Sequence, residues 1–125
     1  MPGITLDAGA LIGLDRNDRR VMALLGRARE AGDHVVVPAT ALAQALRAPS
    51  RQVRLMRLLR QPTSSTVPLD RASASSVGRL LAATETADIA DAHVVVCARR
   101  AGHAVATSDA DDLRRLDPNL TLIEI

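Results

Sequence analysis

The sequence predicts an α/β fold: a single-domain α/β/α sandwich with a parallel central sheet. Three observations predict it. Short apolar runs of strand length recur along the chain, segments with helical spacing separate them, and Gly, Pro, Asp or Ser marks most junctions. With 125 residues and no internal repeat, low-complexity tract or long linker, residues 1–125 make one domain. A chain of this length buries roughly two-thirds of its unfolded surface, enough for a core without staples.

Gly3 to Leu6 is the opening strand, with Asp7 at its carboxyl end, and Ala8 to Leu14 gives a helical turn or two. Asn17 or Asp18 caps a helix through Ala31, with Val21, Leu24, Leu25 and Ala28 on one face and Gly32 ending it. His34–Val37 is a buried strand. Pro38 opens a helix at a position Pro tolerates, with Leu42, Ala45 and Leu46 inward. Pro49 interrupts, and Ser50 caps a helix from Arg51 to Arg60 that Pro62 closes. Thr63 to Leu69 is a polar turn and a short strand, and Pro68 argues for an edge or the strand's end.

Asp70 caps a helix to Ala83, with Ala74, Val77, Leu80 and Leu81 at helical spacing. Thr86 caps the next, Asp88 to Arg100, which Gly102 stops. Ala104–Thr107 is a strand, Asp109–Leu116 a short helix, and Leu120–Ile125 a final strand whose alternation suits an edge.

Composition narrows the chemistry. One cysteine, Cys97, rules out an intramolecular disulfide and reads as a small core residue. No apolar run approaches the ~18 residues of a membrane span, and Met1–Pro2–Gly3 leads straight into a strand. The expectation is a cytoplasmic protein with no membrane association. There is no Phe, Tyr or Trp, so bases have no aromatic platform to stack on. Net charge is only +2, but it is unevenly spread. From Arg16 to Arg60, ten Arg face three acids; from Glu85 to Asp112, two Arg face six acids. A basic half beside an acidic pocket suits a phosphodiester, with Arg on the backbone and carboxylates on a metal. No glycine-rich phosphate loop, GxSxG elbow or Cys/His zinc spacing is present.

The acids themselves are placed for a shared site. In open parallel sheets, ligands lie beyond the carboxyl ends of strands near the topological switch point. Asp7 and Asp109 each follow a strand there, and Asp91 lies one turn into a helix. Hard Mg²⁺ or Mn²⁺ takes oxygen ligands from a few carboxylates, water and substrate phosphate. Each acid also has a plainer reading. Asp88 and Asp109 suit helix starts, Asp111 and Asp112 are ordinary first-turn acids, while Asp7, closing a buried strand, needs a partner or a cation. His93 reads as a hydrogen-bonded helix residue, and His34 and His103 as loop residues before strands. Arg47, Arg51 and Arg54 fall on one helical face, which is either solvated, partner-binding or RNA-binding.

An opening strand ending in Asp7, the DAHVV start of a mid-chain helix, and TSDADDL after a strand together resemble PIN domains. They look most like the small toxins of VapBC toxin–antitoxin pairs, in order and over nearly the whole chain. The resemblance implies an Mg²⁺- or Mn²⁺-dependent endoribonuclease with an RNA substrate, a small cognate antitoxin and a homodimeric state. It puts Asp7, Asp91 and Asp109 in the family's catalytic and metal-holding positions, with Asp112 or Asp111 as a further member. Thr107 matches the family's small hydroxyl residue and, with Arg51 and Arg54, is a candidate for substrate binding. One departure stands out: the family's second acidic position is normally Glu, and here it is Gln44. Gln cannot replace the charge, and Asp88, one turn before Asp91 on the same face, is the candidate to compensate.

Two alternatives stay open. One is a PIN-like module weakened by Gln44 that binds RNA or a protein without efficient cleavage. The other, a phosphatase-like fold using Asp7 as nucleophile, lacks the second Asp two residues on, where Gly9 stands.

Overall fold

Five parallel strands form one sheet in the order β3-β2-β1-β4-β5. The computed structural model describes residues 2–125. The strands are β1 (Gly3–Leu6), β2 (His34–Pro38), β3 (Ser64–Val67), β4 (Ala104–Thr107) and β5 (Leu122–Glu124). Between them run α1 (Ala8–Asp15), α2 (Arg19–Ala31), α3 (Ala39–Ala45), α4 (Val53–Leu59), α5 (Arg71–Thr84), α6 (Ile89–Ala101) and α7 (Ala110–Leu116). Crossovers carry the chain from β1 outward to β3, then back across to β4 and β5. The direction reverses about β1, so the switch point lies between β1 and β4, as the sequence pattern implies. Among the helices, α1 lies against α2, α3 and α4, and α6 lies against α5, α3 and α7.

The core is aliphatic. Leu6, Leu11, Leu55, Leu113, Val21, Val37, Val94, Val95 and Val105 are fully buried, each burial contributing about 1.5–3 kcal/mol. Helix α6 is buried from Ala92 to Ala98, and that explains its sequence. Val94–Val95–Val96 is a poor helix former in isolation, and tertiary burial on all sides overrides propensity. No helix among the described residues is long and apolar enough to cross a membrane.

Helix ends follow local chemistry. Asp18 and Asp70 cap α2 and α5 through their side chains, and Gly32 and Gly102 end α2 and α6 in the left-handed conformation. Three expectations are corrected. Thr86 does not cap α6; Asp88 does, its Oδ1 accepting from Asp91 N at 2.9 Å. The segment after Pro49 is a 3-10 turn, Pro49–Arg51, and α4 begins only at Val53. Gln52 causes the break: its Oε1 accepts from Arg47 N and Ala48 N at 2.8 and 2.9 Å, and its Nε2 donates to Ala45 O at 2.9 Å. Arg47, Arg51 and Arg54 therefore sit on separate segments instead of one helical face. His103 lies in the loop before β4, as expected, but it is buried beside β1, its Nδ1 3.2 Å from Thr5 Oγ1.

Candidate metal centre at the switch point

The neighbouring strands β1 and β4 end beside each other, with Asp7 N donating to Ala106 O at 3.2 Å. Asp7 is buried, and its Oδ1 accepts from Ala10 N at 2.8 Å, capping α1. A carboxylate here has lost water and gained one strong donor. Burial pushes its pKa up, the Thr107 hydroxyl and Ala10 N–H pull it back, and the charge of Asp109 raises it again. Thr107 is fully buried, and its Oγ1 accepts from Asp109 N at 2.8 Å. One hydroxyl thus ties together the ends of both strands. Thr107 has no exposed surface, so its hydroxyl faces the acids and the strand ends.

The third acid comes from α6, which runs antiparallel to the strands and so starts at this same end of the sheet. Asp91 is half-buried in its first turn. Burial raises its carboxyl to about 6, with repulsion from Asp88, Asp7, Asp112 and Asp109 adding to the effect. Asp88, Asp91 and Asp112 line one groove with Arg115 and Leu116. Hydrogen bonding with Asp109 and that residue's charge raise Asp112 as well. Asp111 turns away, exposed and 3.2 Å from Arg114 Nη1. Of the two first-turn acids of α7, it is Asp112 that joins the cluster.

Asp91 therefore feels the charges of Asp88, Asp7, Asp112 and Asp109, while Arg115 Nη1 is 3.9 Å from Asp112 Oδ1. Oxygen-only donors with unbalanced negative charge fit a hard divalent ion. The carboxylates are not closed into a coordination shell: among the described residues, no three His, Cys, Asp or Glu side chains stand close enough to hold one. Asp7 and Asp88 each commit one oxygen to a helix cap.

Other candidates lie elsewhere. Gln44 is exposed in a groove with Ile12, Asp15, Arg16, Arg47 and Gln52, and none of the clustered acids lines it. Arg51 is exposed in the 3-10 turn, and Arg54 lines a separate groove with Met22, Leu25, Arg29, Arg57 and Leu58. Spacing could not have shown a further contact. His93, fully buried on α6, has its Nδ1 2.7 Å from Thr40 Oγ1 on α3, while its Nε2 has no partner.

Comparison with known proteins agrees with this architecture. DNA-bound VapBC from Salmonella typhimurium is similar at a TM-score of 0.70 and 16% identity, over 99% of this chain and 98% of that one. FitAcB from Neisseria gonorrhoeae gives 0.66 and 19%, over 97% and 96%. VapBC2 from Rickettsia felis, bound to a fragment of promoter DNA, gives 0.67 and 13%, over 98% of each chain. At such identities the likeness shows the fold alone. No curated protein matches the sequence. The PIN domain model, however, matches residues 4–118, from β1 through α7, and the chain belongs to the PIN domain family.

Proposed function

We propose that this PIN domain is an endoribonuclease dependent on Mg²⁺ or Mn²⁺ and acts as the toxin of a toxin–antitoxin pair. The observation that carries the reading is the meeting of acids from β1, α6 and the β4–α7 junction, with Asp91 raised to about 6 by burial and by its acidic neighbours. Asp7, Asp91 and Asp109 would hold the ion, with Asp88 and Asp112 completing its negative surroundings. When bound, the ion supplies positive charge against that building on the phosphate and lowers the pKa of a water. Asp7 and Asp109 are kept in register by Thr107, and half-buried Asp91 brings its charge from the opposite wall.

Titration calorimetry with Mn²⁺ tests the reading. Wild-type protein should bind, and Asp91→Asn should weaken binding at least tenfold. Equal affinity in both would overturn the assignment.

An antitoxin partner is supported by the likeness to VapBC and FitAB structures together with the sequence resemblance. Its seat, in this proposal, is the apolar groove of Met22, Leu25 and Leu58 rimmed by Arg29, Arg54 and Arg57, which suits an apolar segment carrying acids. Arg54 then serves the partner before it serves RNA. The homodimer belongs to the same proposal, and light scattering of the isolated chain checks it. The weakened-module reading rests on Gln44, whose groove is separate from the acids. In that case RNA binds and stays intact at millimolar Mn²⁺.

A further inference from the structure

Gly9 stands in the first turn of α1, two residues after Asp7, where Ala would favour the helix by about 1 kcal/mol. Its backbone is not left-handed, so conformation does not require glycine. Space does. A Cβ on Gly9 would overlap Ser108 Oγ, and would lie 3.0 Å from Ser108 Cβ and 3.4 Å from Asp7 Oδ1. The missing side chain is therefore filled by a hydroxyl from the β4–α7 junction, beside the buried Asp7. Ser108 is exposed and lies between Thr107 and Asp109, and its backbone N–H faces the Asp7 carboxyl.

Ionised carboxylates only accept hydrogen bonds, and so do the non-bridging oxygens of a phosphodiester. The Thr107 hydroxyl is buried and occupied by Asp109 N. Ser108 brings to the Asp7 wall an exposed, neutral donor that adds no positive charge to compete with a bound cation. Arg115, the other donor near the acids, lines the groove on the α6–α7 side.

We propose that Ser108 is a positioning residue: its hydroxyl, seated in the space left by Gly9, donates to a phosphate oxygen of the RNA beside Asp7 and Asp109. This rests on the nuclease reading and adds the group that orients the substrate. The hydroxyl takes no part in holding the ion, so its loss should affect RNA and leave metal binding alone.

The test compares wild type, Ser108→Ala and the double variant Gly9→Ser with Ser108→Gly, which returns a hydroxyl to the same space from the opposite wall. Four quantities are read: KM and kcat for a single-stranded oligoribonucleotide, Mn²⁺ affinity by calorimetry, melting temperature, and RNA affinity by fluorescence anisotropy in an Asp91→Asn background that slows cleavage. Ser108→Ala should raise KM and weaken RNA binding by about tenfold, the loss of one hydrogen bond to a charged group. Mn²⁺ affinity, kcat and melting should change less than twofold or by about 2 °C. The double variant should recover most of the lost affinity. Unchanged KM and RNA affinity in Ser108→Ala would overturn the proposal, as would a loss matched by equal loss of Mn²⁺ binding or of melting temperature. Failure of the double variant to recover while still folded would also count against it. A wild type that neither binds Mn²⁺ nor cleaves RNA removes the nuclease reading itself, and Ser108's assignment with it.

Discussion

Asp7 and Asp109 are joined through one buried hydroxyl: Thr107 Oγ1 accepts from Asp109 N at 2.8 Å and also lowers the pKa of Asp7. Two acids far apart in sequence are thereby fixed at the ends of adjacent strands. Their proximity is costly without a cation, since Asp7 is dehydrated by burial and repelled by Asp109. The fold holds that cost in place, as expected of a site prepared for a positive ligand.

Asp7→Asn should therefore separate stability from function. Asn still offers an oxygen to Ala10 N and caps helices as well as Asp. Removing the buried charge should raise the metal-free melting temperature by about 4 °C, roughly 1 kcal/mol at this size. Mn²⁺ binding should fall at least tenfold. A lower melting temperature would mean that the carboxylate stabilises the empty fold.

In the proposed metal site, Asp88 would supply the fourth carboxylate that position 44 lacks. It lines the groove with Asp91 and Asp112 and, after burial, is the largest influence on Asp91, whereas Gln44 lies in another groove beside Arg16 and Arg47. Asp88→Asn keeps the helix cap but removes the charge, so Mn²⁺ affinity should fall about tenfold. Gln44→Glu should change it less than threefold. A tenfold gain from Gln44→Glu, with no loss in Asp88→Asn, would return position 44 to the metal site.

The Thr40–His93 contact links α3 to α6 inside the protein. Thr40→Val leaves both nitrogens of a buried imidazole without partners, at a cost of about 1–3 kcal/mol. Chemical denaturation should show that loss, and Thr40→Ser should restore it. Equal stability of Thr40→Val and wild type would mean that the contact carries nothing.

His103 predicts a pH dependence. Burial and the nearby His34 hold its pKa below the ordinary histidine value, against a smaller opposing pull from Asp33. The unfolded chain then takes the proton more readily, so this contribution is complete above about 6.5 and is lost as pH falls below that value. The stability difference between wild type and His103→Gln, measured from pH 7.5 to 5, should shrink toward the acid end. A difference that grows in acid would contradict the assignment.

Most of the fold was legible because its signals are local. Asp18, Asp70, Gly32 and Gly102 mark helix ends by their own chemistry, and the strand runs of β1, β2 and β4 are mainly apolar. The acids at strand ends were legible for the same reason, since an Asp closing a buried strand must be explained. What spacing could not show is contact between distant segments. Gln52 reaching back to Ala45, His103 meeting Thr5, and Ser108 filling the space at Gly9 are set by packing, not by neighbours in the chain. The expected Arg face failed on one of these, because a Gln side chain satisfies the end of α3 and breaks the helical register.

The most direct test of the central claim is cleavage of single-stranded RNA by wild type and Asp91→Asn, each with Mn²⁺ and with excess chelator. Wild type with Mn²⁺ should cut internal phosphodiester bonds, chelator should stop it, and Asp91→Asn should be slower by at least 100-fold, about 2.7 kcal/mol of transition-state stabilisation. Cleavage that survives chelator, or that Asp91→Asn performs as fast as wild type, would contradict the account.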